Sequence, residues 1–188
     1  MLRRHTGLVV SAAVAAVVLA AVSTLALAAA SGAFRRPGTA PDGRCISPSL
    51  AGRAVNIDLG DLGGPMMRGM GAWPMGGMMR ILTSTTTVRI GTVSLRVANT
   101  SSLVHELVVL PLPAGQGVGQ RAVGADGRID ETGSLGEASL SCGAGGGGGI
   151  NPGSLGWVTL QLAPGRYELV CDEPGHYAGG MFTELDAR

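Results

Sequence analysis

Aromatic side chains are almost missing from this 188-residue chain, which has two Trp, two Tyr and two Phe, 3% of the whole. A core built from it must rely on Val, Leu and Ile. Lysine is absent, every basic residue being arginine, and nothing in the sequence explains that. A surplus of positive charge is missing as well. Residues 1–36 hold four of the 14 basic residues (Arg3, Arg4, Arg35 and Arg36) and none of the 13 acidic ones. The remainder therefore carries ten basic against 13 acidic groups, a net charge of −3. That balance argues against a nucleic-acid role, for which a basic stripe would be expected. Histidine is scarce too. Beyond residue 36 only His105 and His176 remain of the three.

Glycine is plentiful, with 32 residues against a usual share of about 7%. Gly and Pro cluster into loops, a pattern that suits many short strands better than long helices. The uncharged run Leu8–Ala30 is built mostly of Ala, Val and Leu, and at 1.5 Å per residue it could cross a hydrocarbon core of about 30 Å. Arg3, Arg4 and His5 precede it like the n-region of an export signal, and Ala28-Ala29-Ala30 offers a small-residue cleavage site. Residues 1–36 are thus expected to be a signal peptide or an N-terminal hydrophobic anchor helix. The protein is expected to be exported, either secreted or periplasmic or held at the outer face of the cytoplasmic membrane by that segment where it is uncleaved.

Residues 37–53, rich in Gly, Pro and Ser, read as a tether. Residues 54–188 read as one domain, with a Met/Gly-rich segment at 60–79 and a Gly-rich insertion at 115–151. No fixed conformation is expected of that insertion, whose stretch Gly143–Gly149 is nearly all glycine. Elsewhere the alternation of strands is clear. Ala54–Leu59 is a weak first strand. Val93, Leu95 and Val97 share a face, as do His105, Leu107 and Val109. Val158, Leu160 and Leu162 form a third set. In Arg166–Cys171, Tyr167, Leu169 and Cys171 face one way and Arg166 and Glu168 the other, after a Pro164-Gly165 turn. A last strand spans 181–186. Short strands at this spacing predict an all-β sandwich.

Cys171, His176 and Met181 lie in the run CDEPGHYAGGM, a Cys-x4-His-x4-Met spacing that joins two predicted strands. A thiolate, two imidazoles and a weak axial thioether are the donor set of a blue-copper electron-transfer site. Strand phase points His105 and Cys171 into the sandwich, while His176 and Met181 come from the loop that closes over the metal. Each residue alone has a plainer reading: a core histidine, an inert buried thiol, a methionine filling a gap. Their joint placement favours copper. Structural zinc would want a fourth hard or thiolate ligand in place of the thioether.

The ligand run, with NTSSLVHELVV ahead of it and Asn99 six residues before His105, resembles the cupredoxin (type 1 blue-copper) family. Within it, the loop is similar to the rusticyanin, sulfocyanin and auracyanin type. The resemblance covers roughly residues 54–188. It implies a Greek-key β-sandwich holding one type 1 copper, with His105 and His176 as imidazole ligands, Cys171 as thiolate and Met181 as axial ligand. Single electrons would pass to and from redox protein partners. His176 would reach the surface within an apolar patch of Pro174, Gly175, Tyr177 and Ala178. Many members place Asn or Ser directly after the first histidine, where it supports the thiolate; Glu106 stands there in this chain, which leaves the reduction potential open.

With Cys171 a ligand, Cys45 and Cys142 are left over, and a spare pair in an oxidising compartment usually forms a disulfide, although connectivity does not follow from sequence. Met66, Met67, Met70, Met75, Met78 and Met79 offer soft sulfur donors that select Cu(I), or else a flexible apolar flap; the flap is the favoured reading. No enzyme is expected. Two histidines cannot build a trinuclear copper cluster, one loop cysteine cannot build a binuclear centre, and no spare histidine is left to act as a hydrolase base. Two alternatives stay open beside the electron carrier: a copper-delivery protein using the Met-rich segment, and a metal-free binding module on the same scaffold.

Overall fold

A computed structural model describes residues 45–61 and 79–188. The expected signal or anchor segment and five of the six clustered methionines (Met66, Met67, Met70, Met75 and Met78) lie outside those residues. Among the described residues no helix is long and apolar enough to cross a membrane.

Ten strands follow one another: β1 Arg53–Asp61, β2 Met79–Thr83, β3 Thr87–Val88, β4 Gly91–Asn99, β5 Leu107–Pro111, β6 Gly136–Ala138, β7 Gly143–Ala144, β8 Leu155–Leu162, β9 Gly165–Val170 and β10 Phe182–Ala187. They form two five-stranded sheets, ordered β2-β1-β4-β8-β7 and β3-β10-β9-β5-β6. The chain crosses from sheet to sheet between β2 and β3, β3 and β4, β4 and β5, β6 and β7, and β8 and β9. That over-and-under winding makes an all-β Greek-key sandwich. Neighbours are antiparallel except β1 with β4, β3 with β10, and β7 with β8.

Alternation explains the main core. Val55, Ile57 and Leu59 of β1 and Val93, Leu95 and Val97 of β4 face Leu107 and Val109 of β5, and Tyr167 and Leu169 of β9, all within one buried cluster. With so few rings available, aliphatic interdigitation fills this layer.

The other face of the second sheet departs from the simple pattern. Val108 and Leu110 are as buried as the residues between them, and so is Glu168. A second small core covers them, made of Val108, Leu110, Ile129, Val170 and Tyr177 with Phe182 against its edge. Ile129 comes from the insertion. The expectation of no fixed conformation for 115–151 is therefore overturned. The insertion carries β6 and β7, pairs with β5 and β8, and buries Ile129, Ala138 and Ile150. Its glycines serve tight turns rather than disorder. Gly119 (φ 78°) lies so close to Phe182 that a Cβ would run into the ring, and only glycine adopts such a backbone without strain. Cys142 is joined to Cys45, with their Cα atoms 4.9 Å apart.

Candidate metal centre

The two short segments that carry the site lie at one end of the sandwich. His105 precedes β5 and is held by a two-way bridge to Ile150: His105 N donates to the Ile150 carbonyl (3.2 Å) and Ile150 N to that of His105 (2.6 Å). Asn99 explains the approach. Its Nδ2 donates to the carbonyls of Leu103 and Ile150 (both 2.7 Å), and its Oδ1 accepts from Ser101 N and Oγ. One buried amide thus holds the turn that delivers His105.

Cys171 directly follows β9, and its N–H donates to the Met181 carbonyl (3.0 Å). The intervening loop is wound by His176 N to Glu173 O (2.9 Å), Gly179 N to Gly175 O (2.9 Å) and Met181 N to His176 O (3.1 Å). The two strands that it joins, β9 and β10, are antiparallel partners, so both ends of the loop return to the same place.

The donor atoms converge. The Nδ1 atoms of His105 and His176 lie 3.1 Å apart, and Cys171 Sγ lies 3.7 Å from the first and 3.4 Å from the second. A trigonal set with bonds of about 2.0–2.3 Å would separate its donors by roughly 3.5–4 Å. Met181 is fully buried in the same cluster as Cys171. His105 is fully buried and His176 half-buried.

Electrostatics keep the imidazoles in the ligating form. Burial, and then His176 beside it, lower His105 to about 4, against an opposing pull from Asp61; burial also lowers His176. Burial thus disfavours the protonated form of both rings. Burial pushes the Cys171 thiol up to about 12, although the backbone N–H groups of Glu106 and Glu173 favour its thiolate. A cation is what makes that thiolate tenable, because metal binding displaces the proton. Two imidazole nitrogens and a sulfur face one another at short range, and one metal ion held by these three residues would satisfy all of them. The residues present fit one type 1 copper: soft thiolate, two imidazoles and a buried thioether. His105 Nε2 finds no hydrogen-bond partner among the described residues.

Glu106 supports the sulfur through its backbone, its N–H donating to Cys171 Sγ (3.4 Å). Its carboxylate turns away to Arg128, and burial, followed by Glu173, pushes it up to about 7 against the pull of Arg128. The expected surface patch needs one correction. Pro174, Gly175 and Ala178 are exposed, but Tyr177 is buried, because its hydroxyl is drawn inward to donate to Glu168 (2.9 Å). Met79 opens β2 and packs against the main core, with its methyl over Gly179 of the ligand loop, where an added Cβ would lie 3.1 Å away.

Glu168 is a residue that strand phase misplaced. Expected on the solvent face, it has no exposed side-chain surface. Its oxygens accept from Gly119 N (2.6 Å), Arg121 Nε (2.6 Å) and Tyr177. Arg121 and Tyr177 are linked in turn, Arg121 N donating to the tyrosine oxygen (3.0 Å). The residues around the site that sequence reasoning did not single out, Arg121, Arg128 and Glu168, reach their partners across separations of more than 20 residues. The sequence signal nearest to them was Glu106 beside the first histidine, which bonds to Arg128.

A β-sandwich with this His-Cys-His-Met set at one end has a cupredoxin-like fold. Among solved structures, the chain is similar to auracyanin from the photosynthetic bacterium Roseiflexus castenholzii (20% identity over 73% of this chain and 99% of that one, TM-score 0.41). It is also similar to auracyanin A, a "blue" copper protein from Chloroflexus aurantiacus (19% identity, 72% and 99% covered, TM-score 0.40). A third is rusticyanin from Thiobacillus ferrooxidans (22% identity, 73% and 79% covered, TM-score 0.42). Likeness at this level decides nothing about function. No protein-family profile matches the sequence, and no curated protein does.

Proposed function

We propose that this chain is an exported electron carrier in which His105, Cys171, His176 and Met181 hold one copper ion, and that it serves redox protein partners rather than acting as an enzyme. The observation that carries this reading is the convergence of His105 Nδ1, His176 Nδ1 and Cys171 Sγ within 3.1–3.7 Å of one another at the buried end of the sandwich. Bound copper would supply a one-electron Cu(I)/Cu(II) couple.

What the protein contributes is rigidity and access. His105 is pinned by Asn99 and Ile150, and Cys171 and Met181 are tied by a main-chain hydrogen bond. Donors that cannot move favour neither oxidation state by rearrangement, so little reorganisation accompanies electron transfer. His176 is half-buried between the exposed Pro174, Gly175 and Ala178, which supports it as the edge facing a partner. Export rests on the residue pattern of the first 36 positions and on the Cys45–Cys142 bond, since such bonds persist in oxidising compartments.

The test is an absorption spectrum and redox titration of the full chain expressed with copper. Strong visible thiolate-to-copper charge transfer that bleaches and returns on reduction and reoxidation is expected, and Cys171→Ser should abolish it. A colourless protein, or one that surrenders copper to weak chelators, would overturn the carrier reading in favour of delivery.

A further inference from the structure

Residues 123–129 of the insertion form a small hairpin. Val123 bridges Ile129, Gly124 N donates to the Arg128 carbonyl (2.7 Å), and Gly127 N donates to that of Gly124 (3.0 Å). Its tip lies on the ligand loop: Gly175 N, next to His176, donates to the Gly127 carbonyl (2.9 Å). A Cβ on Gly127 would come within 3.0 Å of that same nitrogen. Two residues further along, Ile129 N donates to Asp172 Oδ1 (2.7 Å).

Arg128 reaches both ligand-bearing segments from this hairpin. Nη1 donates to the Asp172 carbonyl (2.6 Å), directly after Cys171, and to Glu106 Oε1 (3.4 Å), directly after His105. Nη2 donates to Glu173 Oε2 (3.4 Å). Glu106 and Asp172 are buried while Arg128 is partly open to solvent. A planar guanidinium with diverging donors can serve a carbonyl and two carboxylates at once, which an ammonium point charge does not.

We propose that the 123–129 hairpin is a latch on the metal loop and that Arg128 is its positioning residue. It holds the residue after Cys171 against the residue after His105, so that the sulfur and the imidazole stand at ligating distance before any metal arrives. The proposal rests on the reading of these side chains as copper ligands. It adds that a part of the chain contributing no ligand sets their spacing.

Amide hydrogen exchange of the copper-free full chain tests the latch without reference to the metal. Exchange at His176, Gly179 and Met181 should quicken about tenfold in both Arg128→Gln and Arg128→Lys, the effect of losing one charge-assisted hydrogen bond. Val93, Leu95 and Val97 of β4 should keep their wild-type rates. Gly127→Ala, which disturbs the same contact from the backbone, should reproduce the loop-limited change. After copper loading, dissociation into a chelator should quicken by a similar factor in all three variants. Wild-type exchange in the lysine variant would overturn the positioning role in favour of charge alone. Equal acceleration in β4 would reduce the effect to global destabilisation, and no acceleration in any variant would remove the latch. A wild-type protein without a charge-transfer band would sink the copper reading, yet the exchange result would still decide the latch.

Discussion

At the scale of single residues, the four side chains proposed as ligands are held in place by fixed neighbours. Asn99 is an example: its side chain makes four hydrogen bonds that shape the turn before His105. Met181 is the residue with the clearest separation of structural and electronic roles. Met181→Leu is close to volume-conserving and should cost less than about 1.5 kcal/mol of stability. The same change removes the thioether, so the reduction potential of the copper-loaded protein should move while the fold melts nearly as before. Voltammetry beside thermal unfolding checks this; an unmoved potential would show that Met181 is a core filler. Glu168 has the opposite character. Removing it strands Arg121 and the Tyr177 hydroxyl, and Glu168→Ala should cost about 3–5 kcal/mol, as breaking a buried ion pair does, read from urea unfolding.

At the scale of elements, the insertion is the structural surprise. The composition of 115–151 suggested a segment with too few apolar residues to order itself, and within the segment that holds. What orders it is apolar surface offered by β5 and β9 from elsewhere in the chain, together with main-chain and side-chain hydrogen bonds to Asp172 and Glu168. Ile129→Ala should therefore lose about 2–5 kcal/mol, the range for truncating a buried aliphatic side chain. A value near zero in chemical denaturation would show that the small core does not hold the insertion down.

At the scale of the whole molecule, burial sets how stability responds to alkali. The buried Cys171 thiol is raised from 9.0 to about 12, and burial raises Tyr177 from 10.0 to about 12. A group whose folded pKa exceeds its unfolded one stabilises fully below the unfolded value and loses that contribution as pH climbs to the folded one. The copper-free protein should thus lose stability steadily between pH 9 and 12. With copper loaded, Cys171 is already a thiolate, so the decline should begin nearer 10, the Tyr177 part alone. Melting temperature against pH for the two forms decides it, and coincident curves would count against a ligating Cys171. The Cys45–Cys142 bond also acts on the whole chain, closing 97 residues. Replacing both cysteines by serine should cost about 2–5 kcal/mol, measured without reductant.

The sequence by itself determined the architecture and the donor types. Period-two patterning in β1, β4, β8 and β9 depends only on neighbours along the strand, and the Cys-x4-His-x4-Met spacing depends only on one loop. Both are local, and both were legible. The scarcity of histidine limited the chemistry equally well, because counting needs no coordinates. Only the tertiary structure decided what covers the second sheet. Whether Glu168 meets water or an arginine 47 residues away, and whether Tyr177 joins a surface patch or a buried network, depends on where a Gly-rich segment comes to rest. That is settled by apolar burial and hydrogen bonds contributed by distant strands, which no window of the sequence contains.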